Sequence, residues 1–111
     1  MNLNYDSSRV LVTGHTGFKA GWLVAMLREL GADIGGLSLP YTGSYDGECP
    51  QLFTEDNFFE TQVDINNLNS VIESIRSYKP NIIFHLAAQP LVLDSYKDPV
   101  GTFNTNVMGT V

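Results

Sequence analysis

Apolar residues fall into short runs and helical stripes that alternate along the chain. The run Val10-Leu11-Val12 predicts a first strand over residues 9–13, which stops at Thr13-Gly14. Helical spacing of apolar residues then predicts a helix from Phe18 to Leu30, and Gly31 is placed to end it. The residues predicted to form the buried stripe of this helix are Leu23, Met26, Leu27 and Leu30.

The following segments predict two more strands separated by a long loop. A strand over 33–39 contains Gly35 and Gly36, which weaken a strand interior. Residues 40–56 are rich in Gly, Pro, Tyr and acidic residues, and this composition predicts a loop. Phe58–Val63 then predicts a third strand.

The last part of the chain predicts helix, strand and helix again. Residues 68–78 have apolar positions at i, i+3, i+4 and i+7, and Asn66 or Asn67 can cap that helix. Ile82-Ile83-Phe84 is a continuous apolar run, typical of a strand buried on both faces of a parallel sheet. Asp98-Pro99 then favours a helix start. The residues predicted to form its apolar side are Val100, Phe103, Val107 and Val111.

This order of elements predicts an α/β fold. It is typical of the first part of a doubly wound parallel sheet, so residues 1–111 are interpreted as one Rossmann-like dinucleotide-binding domain. The helical pattern reaches Val111 without a stop signal. We therefore expect the domain to be incomplete and the chain to be the N-terminal part of a longer protein.

The turn after the first strand carries the candidate chemistry. The pattern is Gly14-x-x-Gly17-x-x-Ala20, in which Gly14 permits a tight turn and Gly17 lets the backbone approach a phosphate. The helix that follows offers unpaired N–H groups and a positive dipole end. An ordinary strand–turn–helix connection is the alternative interpretation. A Walker phosphate loop does not fit, because no Ser or Thr follows Lys19.

Composition narrows the possible partners. The net charge is −6, from 12 acidic and 6 basic residues, which argues against a nucleic-acid partner. No apolar run approaches the ~18 residues of a membrane span, and the N-terminus lacks the pattern of a secretory signal. The single cysteine, Cys49, cannot form an internal disulfide. We expect a cytoplasmic protein without a membrane partner.

Several stretches together resemble the extended branch of the short-chain dehydrogenase/reductase superfamily and, within it, the CDP-glucose 4,6-dehydratase family. They read TGHTGFK, GLSLP, FHLAAQPLV, SYKDPV and TFNTNVMGTV, and only residues 41–50 diverge markedly. The resemblance implies a tightly bound NAD and a nucleotide-sugar substrate. It implies hydride transfer from C4 of the glucose to NAD, loss of water across C5 and C6, and return of the hydride to C6. It also implies a homo-oligomer and a product of the kind used in lipopolysaccharide O-antigen synthesis.

The resemblance also implies residue roles. Gly14 and Gly17 would hold the pyrophosphate, with Phe18 and Lys19 at the helix entrance, although Lys19 is equally well explained as a solvated side chain. Asp64 would accept from the adenine amino group. A helix cap is its structural alternative, and both roles can hold at once. Ile65 would pack or bond nearby. Leu86, Ala87 and Ala88 would line the adenosine and ribose side, and the interior-facing Asn106 would lie near the cofactor. Ser38 is expected at the ribose from its position instead, since it lies about 20 residues after the glycines, where an acid often holds the NAD ribose.

The catalytic Tyr-x-x-x-Lys pair of that superfamily is absent from the sequence. The residues four places after the five tyrosines are Arg9, Tyr45, Cys49, Ile82 and Val100. We therefore assign no catalytic residue here and expect no turnover from these 111 residues alone. His15 and His85 are interpreted as structural, because neither has metal-ligand spacing or a nucleophile partner. A non-catalytic nucleotide-binding module, or part of another extended-branch epimerase or reductase, remains an alternative function.

Overall fold

The computed structural model describes residues 4–40 and 58–111. The described residues form four strands: β1 (Arg9–Thr13), β2 (Asp33–Ser38), β3 (Phe59–Gln62) and β4 (Ile82–His85). Their helices are α1 (Phe18–Glu29), α2 (Leu68–Tyr78), α3 (Val92–Lys97) and α4 (Pro99–Phe103), and a π-helical turn (Asn104–Met108) continues α4. The interpretation of residues 41–56 as a loop, and the position of Cys49, lie outside the described residues.

All the strand pairs in the described sheet are parallel. The order is β3-β2-β1-β4, with Val10 opposite both Ile34 and Ile82 and with Gly35 opposite Phe59. Chain order thus reverses beside β1, as it does in the first part of a doubly wound sheet. The predicted α/β fold with a parallel sheet is confirmed.

The two faces of the sheet carry separate apolar clusters. On one face, α1 packs against alternate residues of β1 and β2, and the fully buried Val10 and Val12 lie in this cluster. On the other face, Leu11 and Leu37 pack against Tyr78 of α2. Because successive side chains of a strand point to opposite faces, Val10-Leu11-Val12 supplies both clusters.

The predicted stripe of α1 is partly wrong. Met26 is 57% exposed, and the buried side chains that face the sheet are Ala20, Val24 and Leu27. Ala20 and Val24 have small side chains, which let the helix lie close to the strands. The buried stripe therefore runs through residues 20, 24 and 27, and Met26 lies outside it.

Gly35 and Gly36 do not interrupt β2, because aromatic rings lie over them on opposite faces. A Cβ on Gly35 would lie 3.0 Å from the rings of Phe59 and Tyr78, which are themselves stacked with centroids 4.7 Å apart. A Cβ on Gly36 would overlap the ring of His15. Because Gly35 and Gly36 have no Cβ, these rings pack directly against the backbone of β2.

The predicted burial of β4 on both faces is wrong for the described chain, in which Ile83 is 47% exposed. Ile82 and Phe84 pack against the α1 cluster, whereas Ile83 lies on the opposite face at the edge of the described sheet. The α2 cluster there is built on β1, β2 and β3 and does not include Ile83.

The predicted helix starts are confirmed in two places. Asn67 caps α2 by accepting from the Ser70 N–H at 3.2 Å, and Asp98 caps α4 by accepting from the Gly101 N–H at 2.9 Å. The helix α3 was not predicted. The apolar positions assigned to the last helix, Val100, Phe103, Val107 and Val111, are exposed by 40–94% in the described chain.

In the part of the chain that the structure describes, every helix is too short or too polar to cross a membrane.

Tyr78 makes the stability of this fold depend on alkaline pH. Its hydroxyl donates to the Asp33 carbonyl at 2.9 Å, and burial, followed by the nearby Asp33 carboxylate, raises the pKa of Tyr78 from 10.0 to about 12. The fold therefore favours the protonated phenol. This contribution to stability is complete below pH 10.0 and is lost as the pH rises towards about 12.

We predict that Tyr78→Phe lowers the free energy of unfolding by about 0.5–1.5 kcal/mol at neutral pH and flattens its fall between pH 10 and 12. Urea unfolding at several pH values measures both effects. Tyr96→Phe is the control, because Tyr96 is 81% exposed and should leave the pH profile unchanged. An unaltered alkaline fall in Tyr78→Phe would contradict the assignment.

Candidate functional site

The carboxyl edge of the sheet brings the predicted site residues together. In a parallel sheet all strands end at the same edge, which is where open α/β sheets bind ligands. Gly14 follows β1, Ser38 ends β2, Asp64 comes shortly after β3 and Leu86 follows β4 directly. Residues far apart in sequence therefore line one rim.

Gly14 is required at its position for two independent reasons. Its φ is +70°, a left-handed conformation that favours glycine. A Cβ there would also lie 2.8 Å from the N and Cα atoms of Ala87. The Gly14 N–H donates to the Leu37 carbonyl at 2.7 Å, so the turn is joined to β2 as well. The predicted tight turn is confirmed, and it is fixed against both neighbouring strands.

Gly17 occupies the mouth of α1. It is the N-cap residue, with an extended backbone (φ −71°, ψ 160°) that other residues also adopt, and no side chain caps the helix. A Cβ on Gly17 would meet one atom within 4 Å, the Gly14 carbonyl oxygen at 3.3 Å. Among the described residues, no other atom outside the adjoining backbone narrows the space in front of Gly17.

The first turn of α1 is suited to an anion. The first helical hydrogen bond runs from the Gly21 N–H to the Gly17 carbonyl at 2.9 Å, and no acidic side chain lies in that turn. The N–H groups of residues 18–20 precede any helical partner, and they carry the positive end of the helix dipole. Phe18 and Lys19 are both exposed here, and their contact with a ligand stays a prediction.

His15 has the structural role that was predicted, and the structure adds its partner. Its side chain is fully buried over Gly36, and Nε2 lies 3.0 Å from Oε1 of Glu60 in β3. No local sequence pattern indicates Glu60, which is 45 residues away. The contact between His15 and Glu60 therefore joins the glycine turn after β1 to β3, and the His15 ring crosses over β2 at Gly36.

Ser38 at the end of β2 and Asp64 after β3 form local hydrogen bonds. Ser38 is 5% exposed and its hydroxyl donates to the Leu39 carbonyl at 2.9 Å. Oδ1 of Asp64 accepts from the Asn66 N–H at 2.9 Å and from its side-chain amide at 3.0 Å. The helix cap is Asn67, so the cap alternative for Asp64 is wrong. The ribose and adenine roles of Ser38 and Asp64 stay predictions.

Ile65 lies close to Gly109, two residues before the last residue of the sequence. A Cβ on Gly109 would come 2.7 Å from its Cδ1 atom, so glycine lets the last residues approach the loop after β3. The Asn66 side-chain amide also donates to the Thr105 hydroxyl at 3.2 Å. The π-helical turn is thus joined to the loop after β3 by an apolar and a polar contact.

Asn106 fixes the loop after β4. Its Oδ1 accepts from the Gln89 N–H at 2.8 Å, and its Nδ2 donates to the Gln89 carbonyl at 3.1 Å. The predicted interior-facing position is wrong, because Asn106 is exposed in the described chain and lies in the π-helical turn. The need for a hydrogen-bond partner is met by the loop that begins with Leu86, Ala87 and Ala88. Their contacts with an adenosine stay predictions.

His85 ends β4 with its Nδ1 atom 2.7 Å from the Thr13 hydroxyl. Residues 4–40 and 58–111 contain no group of three or more His, Cys, Asp or Glu side chains arranged to hold a metal ion. The rim therefore offers main-chain donors and small side chains, a set suited to binding a dinucleotide.

Comparison with known proteins agrees with this geometry. Residues 11–111 match the family model described as GDP-mannose 4,6 dehydratase. The chain is 43% identical to the CDP-glucose 4,6-dehydratase of Salmonella typhimurium, over 96% of this chain and 30% of that protein. It is 35% identical to a UDP-glucose 4-epimerase of Mycolicibacterium smegmatis, over 93% of this chain and 32% of that protein.

A solved structure shows the same architecture. The UDP-glucose 4-epimerase of Thermus thermophilus, determined as a complex with NAD, superimposes with a TM-score of 0.77 and 30% identity. The match covers 91% of this chain and 30% of that one. The chain thus spans about a third or less of the length of these relatives.

We predict that Gly36→Ala destabilises the chain by about 1–3 kcal/mol, because the new methyl group displaces the buried ring of His15. In a double-mutant cycle the same change should cost less in a His15→Ala background, since the ring is then absent. Urea unfolding measures the four proteins.

Gly35→Ala is the matched control for this cycle. It meets Phe59 and Tyr78 at 3.0 Å on the other face of β2, so its cost should be the same with or without His15. An equal cost of Gly36→Ala in both backgrounds would show that His15 does not rest on Gly36.

Proposed function

The chain belongs to the GDP-mannose 4,6 dehydratase family, and on that premise we propose that it forms the NAD-binding part of a sugar-nucleotide 4,6-dehydratase. The observation that carries the proposal is the open mouth of α1. There Gly17 leaves space in front of unpaired N–H groups, and Gly14 packs on Ala87. A dinucleotide has a pyrophosphate that suits such a site.

The residues on the rim fit NAD without a formal positive charge in the turn itself. The N–H groups of residues 18–20 would hold the pyrophosphate, with the Lys19 side chain beside them. Asp64 would accept from the adenine amino group through the carboxylate oxygen that Asn66 does not use. Leu86, Ala87, Ala88 and Ile65 would border the adenosine, and Ser38 would face a ribose. Asn106 would act next to the cofactor through its hold on Gln89.

The choice of NAD over NADP is supported by a relative, since the Thermus thermophilus protein was determined with NAD. The residue at the end of β2, Ser38, is neither an acid that would hold a ribose 2′-hydroxyl nor an arginine that would accept a 2′-phosphate, so this position favours neither cofactor. When bound, NAD supplies a nicotinamide ring that takes up a hydride from the sugar and returns it.

For the substrate we propose CDP-glucose, converted into CDP-4-keto-6-deoxyglucose by the whole protein. The 43% identity to the Salmonella typhimurium dehydratase supports this choice over the UDP-glucose epimerases, of which the Mycolicibacterium smegmatis protein is 35% identical. The proposal assigns no catalytic residue to these 111 residues, because no tyrosine has a lysine four places on. The whole protein is proposed to be a cytoplasmic homo-oligomer that binds neither nucleic acid nor membranes.

We predict that Gly17→Ala weakens NAD binding by about tenfold or more while lowering stability by no more than about 1 kcal/mol. The backbone at Gly17 accepts alanine, and its methyl group meets the Gly14 oxygen at 3.3 Å but stands where the phosphate would lie. Calorimetric titration with NAD, together with a urea unfolding curve, separates the two effects.

Ser77→Ala, on an exposed face near the end of α2, is the control and should bind NAD like the original protein. Equal affinity of Gly17→Ala and the original chain would refute the pyrophosphate site. The substrate is tested on the full-length protein. Release of a 4-keto-6-deoxy product from CDP-glucose supports the proposal, and 4-epimerisation of a sugar nucleotide without loss of water refutes it.

A further inference from the structure

We propose that His85 is a positioning residue, held as the tautomer with its hydrogen on Nε2. It ties the end of β1 to Thr110, just after the π-helical turn. The tie would fix the loop after β4, which forms one wall of the cofactor site. This inference rests on the proposed function only for its link to NAD. The hydrogen-bond geometry stands independently of the ligand.

The Thr13 hydroxyl determines the direction of the hydrogen bonds. Thr13 is 6% exposed, and its Oγ1 accepts from the Ala87 N–H at 3.2 Å and from the Leu86 N–H at 3.1 Å, which is shared with the Thr13 carbonyl. A hydroxyl has two lone pairs and one hydrogen. With its lone pairs engaged, Thr13 donates that hydrogen to Nδ1 of His85 at 2.7 Å.

The other side of the imidazole continues the chain of bonds. In a neutral imidazole whose Nδ1 accepts, Nε2 carries the hydrogen. Nε2 of His85 lies 3.1 Å from the Thr110 hydroxyl, which itself donates to the Asn106 carbonyl at 2.8 Å. In this series the Thr13 hydroxyl, Nε2 of His85 and the Thr110 hydroxyl each donate to one acceptor. The hydrogen bonds therefore run in one direction, from Thr13 through His85 to Asn106 in the π-helical turn.

This relay holds the loop after β4 from two sides. The first residues of the loop are bonded to Thr13. Gln89, later in the loop, is bonded twice to Asn106, and the Asn106 carbonyl is the last acceptor of the relay. Ala87 of this loop packs directly against Gly14, and there is no free space between them. The glycine turn therefore cannot move together with the loop when the loop shifts. A loosened relay would therefore move one wall of the site relative to the glycine turn.

The first test is spectroscopic. A proton–nitrogen correlation spectrum of the imidazoles, recorded at about pH 8, reports which ring nitrogen carries hydrogen. We expect the Nε2–H form for His85. We expect Thr13→Val to weaken this preference, because Nδ1 then loses its donor, and Thr13→Ser to keep it. Since the sequence contains only two histidines, a His85→Asn spectrum assigns the signal. A dominant Nδ1–H form in the original protein would overturn the proposal.

The second test measures positioning. Thr110→Val removes the hydroxyl at the end of the relay and keeps the shape of the side chain. We expect NAD to bind about two- to tenfold more weakly, as for the loss of one hydrogen bond, and the Ala87 amide to exchange faster with solvent. Thr110→Ser, which keeps the hydroxyl, should restore both.

The outcomes separate this inference from the proposed function. NAD affinity and Ala87 exchange that are unchanged in Thr110→Val would overturn the positioning role even if the tautomer is as expected. If the original protein binds no NAD, the proposed function fails. The tautomer of His85 and the exchange of Ala87 then still decide whether the relay exists.

Discussion

The close approach of Gly14 to Ala87 is the contact on which the rest of the site depends. Strand β1 can end in a left-handed turn against the backbone that follows β4 only because residue 14 has no Cβ, which would lie 2.8 Å from Ala87. That turn directs the chain into α1 and leaves the helix mouth open at Gly17. A side chain at residue 14 would separate the two strand ends and move the helix away from the rim.

Hydrogen bonds made by polar side chains also hold the rim in shape. His15 is tied to Glu60 at 3.0 Å, Thr13 accepts from the loop after β4, and Asn106 is bonded twice to Gln89. Each of these ties joins the end of one strand to a different element, so the loops are fixed relative to one another. Such preorganisation lowers the cost of ordering a site when a ligand binds.

The sequence was informative wherever a local pattern decides the structure. The strand at Val10-Leu11-Val12, the tight turn at Gly14 and the cap at Asp98 each leave a pattern in adjacent residues, and all were predicted. The contact of Gly14 with Ala87 was not predicted. The partner of His15 and the exposure of Met26 depend on residues that only the fold brings close. The π-helical turn was missed for the same reason, since its side chains bond to loops that follow other strands. The hydrogen bonds that Ser38 and Asp64 make are to nearby residues of the chain, and their ligand contacts remain predictions.

Binding of the NAD pyrophosphate by main-chain N–H groups at the mouth of α1 is the step from which the proposed function follows. Amide NMR shifts of the chain, followed during a titration with NAD, test it most directly. We expect the largest, saturable shifts at residues 17–20 and in the loop that begins at Leu86. Saturable binding whose shifts are confined to the opposite edge of the sheet, around Asn81, or no shift at residues 17–20 at saturating NAD, would contradict it.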